Sequence, residues 1–197
     1  DDTLTVDTNN GLIDVPIQYD GGDGNNDALI VQGSTGANSV EYTPGPTDDA
    51  GVLLYDAGEG LQISFTGLEP VVDLIAAPTL IVNGTNADNA INYSVGPGGA
   101  TNGLVAVDAY ETLEFSNKTN LTINGLAGSD TINLNNPNTP TSLTGITVNG
   151  GDPTGGDTVI VNGTAGQDVV TIDTITSDGA RVTGLGPITN VSSTEHL

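Results

Sequence analysis

The sequence predicts an all-β chain of degenerate repeats coiled as a β-solenoid, and three observations carry that expectation. Glycine accounts for 28 of 197 residues, about twice its usual share, while Met, Trp and Cys are absent. Apolar residues still reach 36%, and they arrive as short β-branched runs with no helical period. The same strand-and-corner segment also recurs along the chain, which is the signature of a repeat architecture.

Four segments align without gaps on a shared glycine: Ala28 to Gly33, Thr79 to Gly84, Asn120 to Gly125 and Thr158 to Gly163. Three of them end in Asn-Gly, at Asn83, Asn124 and Asn162, and Thr147-Val148-Asn149-Gly150 repeats the ending. After each glycine comes a short polar corner and then a second apolar strand, such as Asn89-Ala90-Ile91, Asp130-Thr131-Ile132 or Asp168-Val169-Val170. Repeating units are expected near 28–78, 79–119, 120–157 and 158–197, all within one repetitive domain spanning 1–197. Residues 44–60, with Pro44, Pro46, Asp48 and Asp49, break the pattern and predict a protruding loop.

A slower repeat overlies these units, because the segment from Phe65 to Val71 returns as Val182 to Ile188. On that offset Leu197 falls opposite Leu80, where another strand would begin, and Asp1 to Val6 resembles the second strand of a unit. Both ends are therefore expected to be interrupted repeats. Stacked coils put like residues above like, so Asn side chains at a shared corner can bond in a ladder. The alternative is a β-sandwich, since regular short strands suit it and Asn-Gly is also a favoured hairpin turn.

Charge narrows function. Lys plus Arg is 2 against 25 acids, a net charge of −23, so nucleic-acid binding is excluded and anionic membranes are repelled. No apolar run approaches the roughly 18 residues that span a bilayer. Acidity with almost no Lys, and no Cys, points to an extracellular or cell-surface compartment where cations screen self-repulsion. Catalysis has little to work with. His196 is the single histidine, the cations are Lys118 and Arg181, and few aromatics are available to grip a sugar; the expectation is a non-enzyme.

The Asn-Gly-Thr corners, the Asp-Thr-Ile strands, the opening Leu4-Thr5-Val6-Asp7 and the Phe65 to Val71 segment resemble the Gly/Asx-rich repeat regions of large secreted bacterial surface proteins and adhesins. That resemblance implies a β-helix and a structural or adhesive role without catalysis. Gly125 to Asn133 and Gly163 to Thr171 also resemble the calcium-binding nonapeptide repeat, apart from Leu126 and Thr164.

Calcium ligands, if this likeness holds, would come from Asp23, Asp27, Asp130, Asp152, Asp157 and Asp168. The motifs lie 38 or more residues apart, whereas an oxygen cage needs ligands from adjacent turns. The competing reading is an Asx turn in which glycine relieves a strained backbone. Among six Asn-x-Ser/Thr sequons, Asn117 and Asn120, which flank Lys118, are the glycosylation candidates and are expected to be more exposed than the corner residues Asn83 and Asn162. The expected function is a structural segment of a filament, sheath or surface layer, pairing with further copies of itself end to end. The alternative is an adhesin or calcium-stabilised stalk that binds glycan or a cell surface through loop 44–60.

Overall fold

Alternating apolar residues in runs of four to seven can bury one face only by pairing as strands. The computed structural model describes residues 2–24, 26–56, 60–135, 140, 142–152 and 156–197. Among them the chain is all-β, with eighteen strands in two mixed sheets of eight and ten strands that do not close into a barrel.

The chain passes back and forth between the sheets. β1 (Thr3–Asp7), β3 (Ala28–Gln32), β7 (Val71–Asp73), β13 (Thr131–Leu134) and β15 (Thr158–Val161) belong to the eight-stranded sheet. β2 (Ile17–Asp20), β8 (Ala77–Asn83), β12 (Lys118–Asn124) and β14 (Gly145–Asn149) belong to the ten-stranded sheet. Three meanders interrupt this passage among the described residues. In the ten-stranded sheet they are β4 (Ser39–Pro44), β5 (Gly51–Tyr55) and β6 (Gln62–Thr66), and later β16 (Thr171–Thr176), β17 (Gly179–Thr183) and β18 (Ile188–Ser192). In the eight-stranded sheet the meander is β9 (Ala90–Gly96), β10 (Gly99–Val107) and β11 (Leu113–Phe115).

Every meander has the same logic. Its first strand lies farthest along the sheet and its third returns beside the earlier rung, giving the orders β2-β6-β5-β4-β8, β7-β11-β10-β9-β13 and β14-β18-β17-β16. Only the middle strand runs against its neighbours; the pairs outside the meanders are parallel.

Register stacks like residues. Val40, Leu80, Leu121, Ile146 and Thr189 form one buried row across the ten-stranded sheet, and Tyr42, Val82, Ile123, Val148 and Val191 form another. Between them Glu41, Ile81, Thr122, Thr147 and Asn190 face outward. A slip by one residue would expose both apolar rows, and each fully buried Val, Leu or Ile is worth about 1.5–3 kcal/mol. Side chains from both sheets meet in one apolar cluster.

The first two meanders share a device. Tyr42 and Phe65 stack across β5, with ring centroids 6.4 Å apart, and Tyr93 and Phe115 stack across β10 at 6.2 Å. Each intervening strand supplies a glycine between the rings. A Cβ on Gly51 would lie 2.7 Å from Phe65 Cζ, and one on Gly103 would lie 2.5 Å from Phe115 Cζ.

Three sequence expectations need correction. Residues 44–60 do not form a protruding loop: 44–50 make a tight turn, and Gly51–Tyr55 is an interior strand with Leu53 and Tyr55 fully buried, while 57–59 lie outside the described residues. The Asn corners divide between the sheets. Asn124 donates its amide to Asn83 Oδ1 at 2.9 Å and pairs in register with Asn149, but Asn162 follows β15 in the other sheet and donates to Asn133 and to the Leu134 carbonyl. The Phe65 to Val71 segment crosses between sheets, whereas its counterpart Val182 to Ile188 joins two strands of one sheet. In each case a local Gly- and Asn-rich word suits the end of any strand, and the order in which the chain crosses between the sheets decides which one it enters.

Candidate functional site

The feature that gathers acidic side chains is a row of corners where the chain enters the eight-stranded sheet. Asp27, Asn89, Asp130 and Asp157 each stand one residue before a strand, ahead of β3, β9, β13 and β15. At that position the backbone N–H has not yet joined the sheet ladder and needs an acceptor. The side chain of the neighbouring rung supplies it. Asn89 N donates to Asp130 Oδ1 at 2.8 Å, Asp130 N to Asp157 Oδ1 at 2.9 Å and Asp157 N to Glu195 Oε2 at 2.8 Å. Asp2 N donates to Asp27 Oδ1 in the same way. Asp108 continues the row on the far side of Asn89, accepting from Ala90 N and from the Asn89 amide, both at 2.7 Å.

The glycine in the Gly-x-x-x-x-Asx spacing has a packing reason. The second carboxylate oxygen of the corner residue turns inward against the glycine that closed the preceding strand. A Cβ on Gly125 would sit 2.3 Å from Asp130 Oδ2 and one on Gly84 2.7 Å from Asn89 Oδ1; across a longer corner, with six residues between, one on Gly150 would sit 2.5 Å from Asp157 Oδ2. Asp130 Oδ2 and Asp157 Oδ2 are buried without a hydrogen-bond partner. Burial pushes the Asp130 carboxyl above its ordinary value; the Asn89 N–H opposes that shift, and the charges of Asp157, Asp88 and Asp108 add to it.

The six calcium candidates are therefore distributed as follows. Asp130 and Asp157 are brought together as adjacent rungs. Asp27 holds the equivalent place at the β1–β3 end, and Asp23 is exposed in the turn before it. Asp152 lies in the connection from β14 to β15, where its N–H donates to the Leu126 carbonyl at 2.7 Å. Asp168 closes its own turn, accepting from Thr164 N at 2.9 Å and Thr164 Oγ1 at 2.8 Å, while Glu195 takes the rung beside Asp157. Among the described residues no three acidic or histidine side chains converge as a cation cage. The oxygens of Asp130 and Asp157 that a cation would need face glycine backbone.

The two glycosylation candidates are exposed, and both amides are engaged. Asn117, at a left-handed φ of 58°, donates to the Leu74 carbonyl at 2.8 Å, and Asn120 donates to the Pro78 carbonyl at 3.3 Å. Lys118, between them, is fully buried against Asp73, at 3.1 Å. No sequence spacing marked Asp73, Asp108 or Glu195, because each meets its partner through sheet register across meanders. No family model, no curated protein and no solved structure matches the chain.

Proposed function

We propose that this chain is a β-solenoid segment with a structural, non-catalytic role at the cell exterior, stacking end to end with further copies into a filament, sheath or surface layer. The observation that carries this reading is the apolar end at the third meander. All six residues of β16 are exposed, and Val169, Ile172, Ile175 and Leu197 are 79%, 60%, 56% and 50% exposed. Val161, Val170, Ile172, Val182, Leu185 and Leu197 line a shallow groove there. In the first two meanders the matching side of the outermost strand is covered by β8 and by β13. Free strand edges with apolar side chains invite a further strand.

Strand direction supports the same occupant. Counting pairings across each sheet, β1 and β15 run the same way, as do β2 and β16. One copy set on another without rotation would continue the ten-stranded sheet with a parallel β16–β2 pair, whereas the outer edge of β15 is in part covered by His196, which bridges Thr158 in parallel. Such a head-to-tail contact does not close and yields a fibre. Electron microscopy of the purified protein, at low salt and with added salt or calcium, tests this: filaments whose axial repeat equals one subunit are expected. Discrete particles under every condition would overturn it and favour the glycan-binding stalk.

A further inference from the structure

The only lysine in the chain is spent in the core. Lys118 opens β12 and Asp73 closes β7, so the pair joins adjacent rungs at the crossing between the sheets. Both side chains are 0% exposed and Nζ lies 3.1 Å from Asp73 Oδ2. Nζ also donates to the Ile75 carbonyl at 2.6 Å and the Ser116 carbonyl at 3.0 Å. Two of the three ammonium positions are thus anchored on backbone, and Asp73 Oδ2 lies at ion-pair distance from the same nitrogen. The Ile75 N–H donates to Asp73 Oδ1 at 3.3 Å and fixes the carboxyl from its other side.

We propose that Lys118 Nζ and Asp73 Cγ become joined by an amide bond, a covalent staple between neighbouring rungs in a chain that has no cysteine. The step balances within the pair. The ammonium passes one proton to Asp73 Oδ2, leaving a neutral amine beside the protonated carboxyl. The N–C bond forms, the C–Oδ2 bond breaks, and Oδ2 departs with its proton and one more from nitrogen as water. No oxidant or co-reactant is needed, and one positive and one negative charge disappear together.

Three physical features favour the step. Burial pushes the Asp73 carboxyl up and the Lys118 ammonium down, against their mutual attraction, which brings the neutral acid and amine within reach. Groups held in contact react with effective concentrations of about 10⁵–10⁸ M in favourable cases. Condensation also removes two desolvated charges from the core, where an ion pair is costly to keep.

Intact mass of the denatured wild-type chain tests the proposal. The expected mass is below the sequence mass by one water. Cleavage after acidic residues should yield one branched peptide containing both Asp73 and Lys118, and an amine-reactive label should leave Lys118 unmodified in the unfolded chain. Lys118→Arg, which keeps the charge but has no primary amine, should restore the full mass. Because the reading is made on unfolded chains, a variant that folds poorly still reports. A full sequence mass in the wild type overturns the proposal, as does a water loss that persists in Lys118→Arg or gives no branched peptide.

Discussion

At the residue scale, the recurring glycine is a matter of space before it is one of conformation. A Cβ on Gly125 would meet Asp130 Oδ2 at 2.3 Å and the Gly150 carbonyl at 2.4 Å, and neither can move without breaking a corner. Gly125→Ala is expected to destabilise the fold by about 2–3 kcal/mol, at the upper end of the overpacking range, read from urea denaturation. Glu111 supplies a second residue-level expectation. Burial, with the charges of Glu69 and Asp49 and against the Thr112 hydrogen bonds, holds its carboxyl up at about 7 from 4.5. A group that binds its proton more tightly when folded stabilises the fold below its unfolded value, and loses that contribution as pH rises through the folded one. The melting temperature should therefore fall between pH 4.5 and about 7, and Glu111→Gln should flatten that part of the curve. An unchanged slope in the variant would assign the effect to general charge repulsion.

At the scale of elements, the meander is the unit that organises the molecule. Its middle strand is antiparallel and carries a glycine between two stacked rings in the first two instances. Gly103→Ala should cost about 1–3 kcal/mol because the Phe115 ring must shift. In a double-mutant cycle, Phe115→Leu should recover part of that loss, since the two residues share one contact. Additive costs would show that the ring and the glycine are independent. The recurring Asn-Gly and Gly-x-x-x-x-Asx words were readable because they repeat in sequence. The aromatic pairs were not, as Tyr42 meets Phe65 and Tyr93 meets Phe115 only after a third strand is inserted between them.

At the scale of the whole molecule, charge and edge geometry oppose each other. A net charge of −23 repels like copies at low salt, and in the proposed stacking the apolar third meander would draw them together. Self-association measured by sedimentation should rise with salt as screening shortens repulsion to about 8 Å at physiological ionic strength. Ile172→Lys in β16 should suppress it at every salt concentration without unfolding the monomer. The metal question also belongs at this scale, because a bridging cation would stabilise the folded chain by mass action. Since the inward oxygens of Asp130 and Asp157 face glycine backbone, a chelator is expected to leave the melting temperature unchanged. A large drop would place calcium among the exposed acids such as Asp23.

Strand content, the polar corners and the near absence of helix among the described residues follow from local chemistry: β-branched runs cannot coil comfortably, and Gly and Asx close tight turns wherever they stand. These were legible from composition and repetition. Which corner stacks on which was not, because identical words such as Ile-Val-Asn-Gly at 81–84 and 160–163 carry no mark of the sheet they enter. The chain changes sheet at each crossing, so β15, one crossing beyond β14, takes Asn162 to one sheet while Asn83 and Asn124 share the other. Burial of Lys118 was equally hidden. Its sequence neighbours Asn117 and Thr119 are polar and exposed, and the partner that makes its burial tolerable, Asp73, arrives from the adjacent rung through long-range pairing that local sequence does not encode.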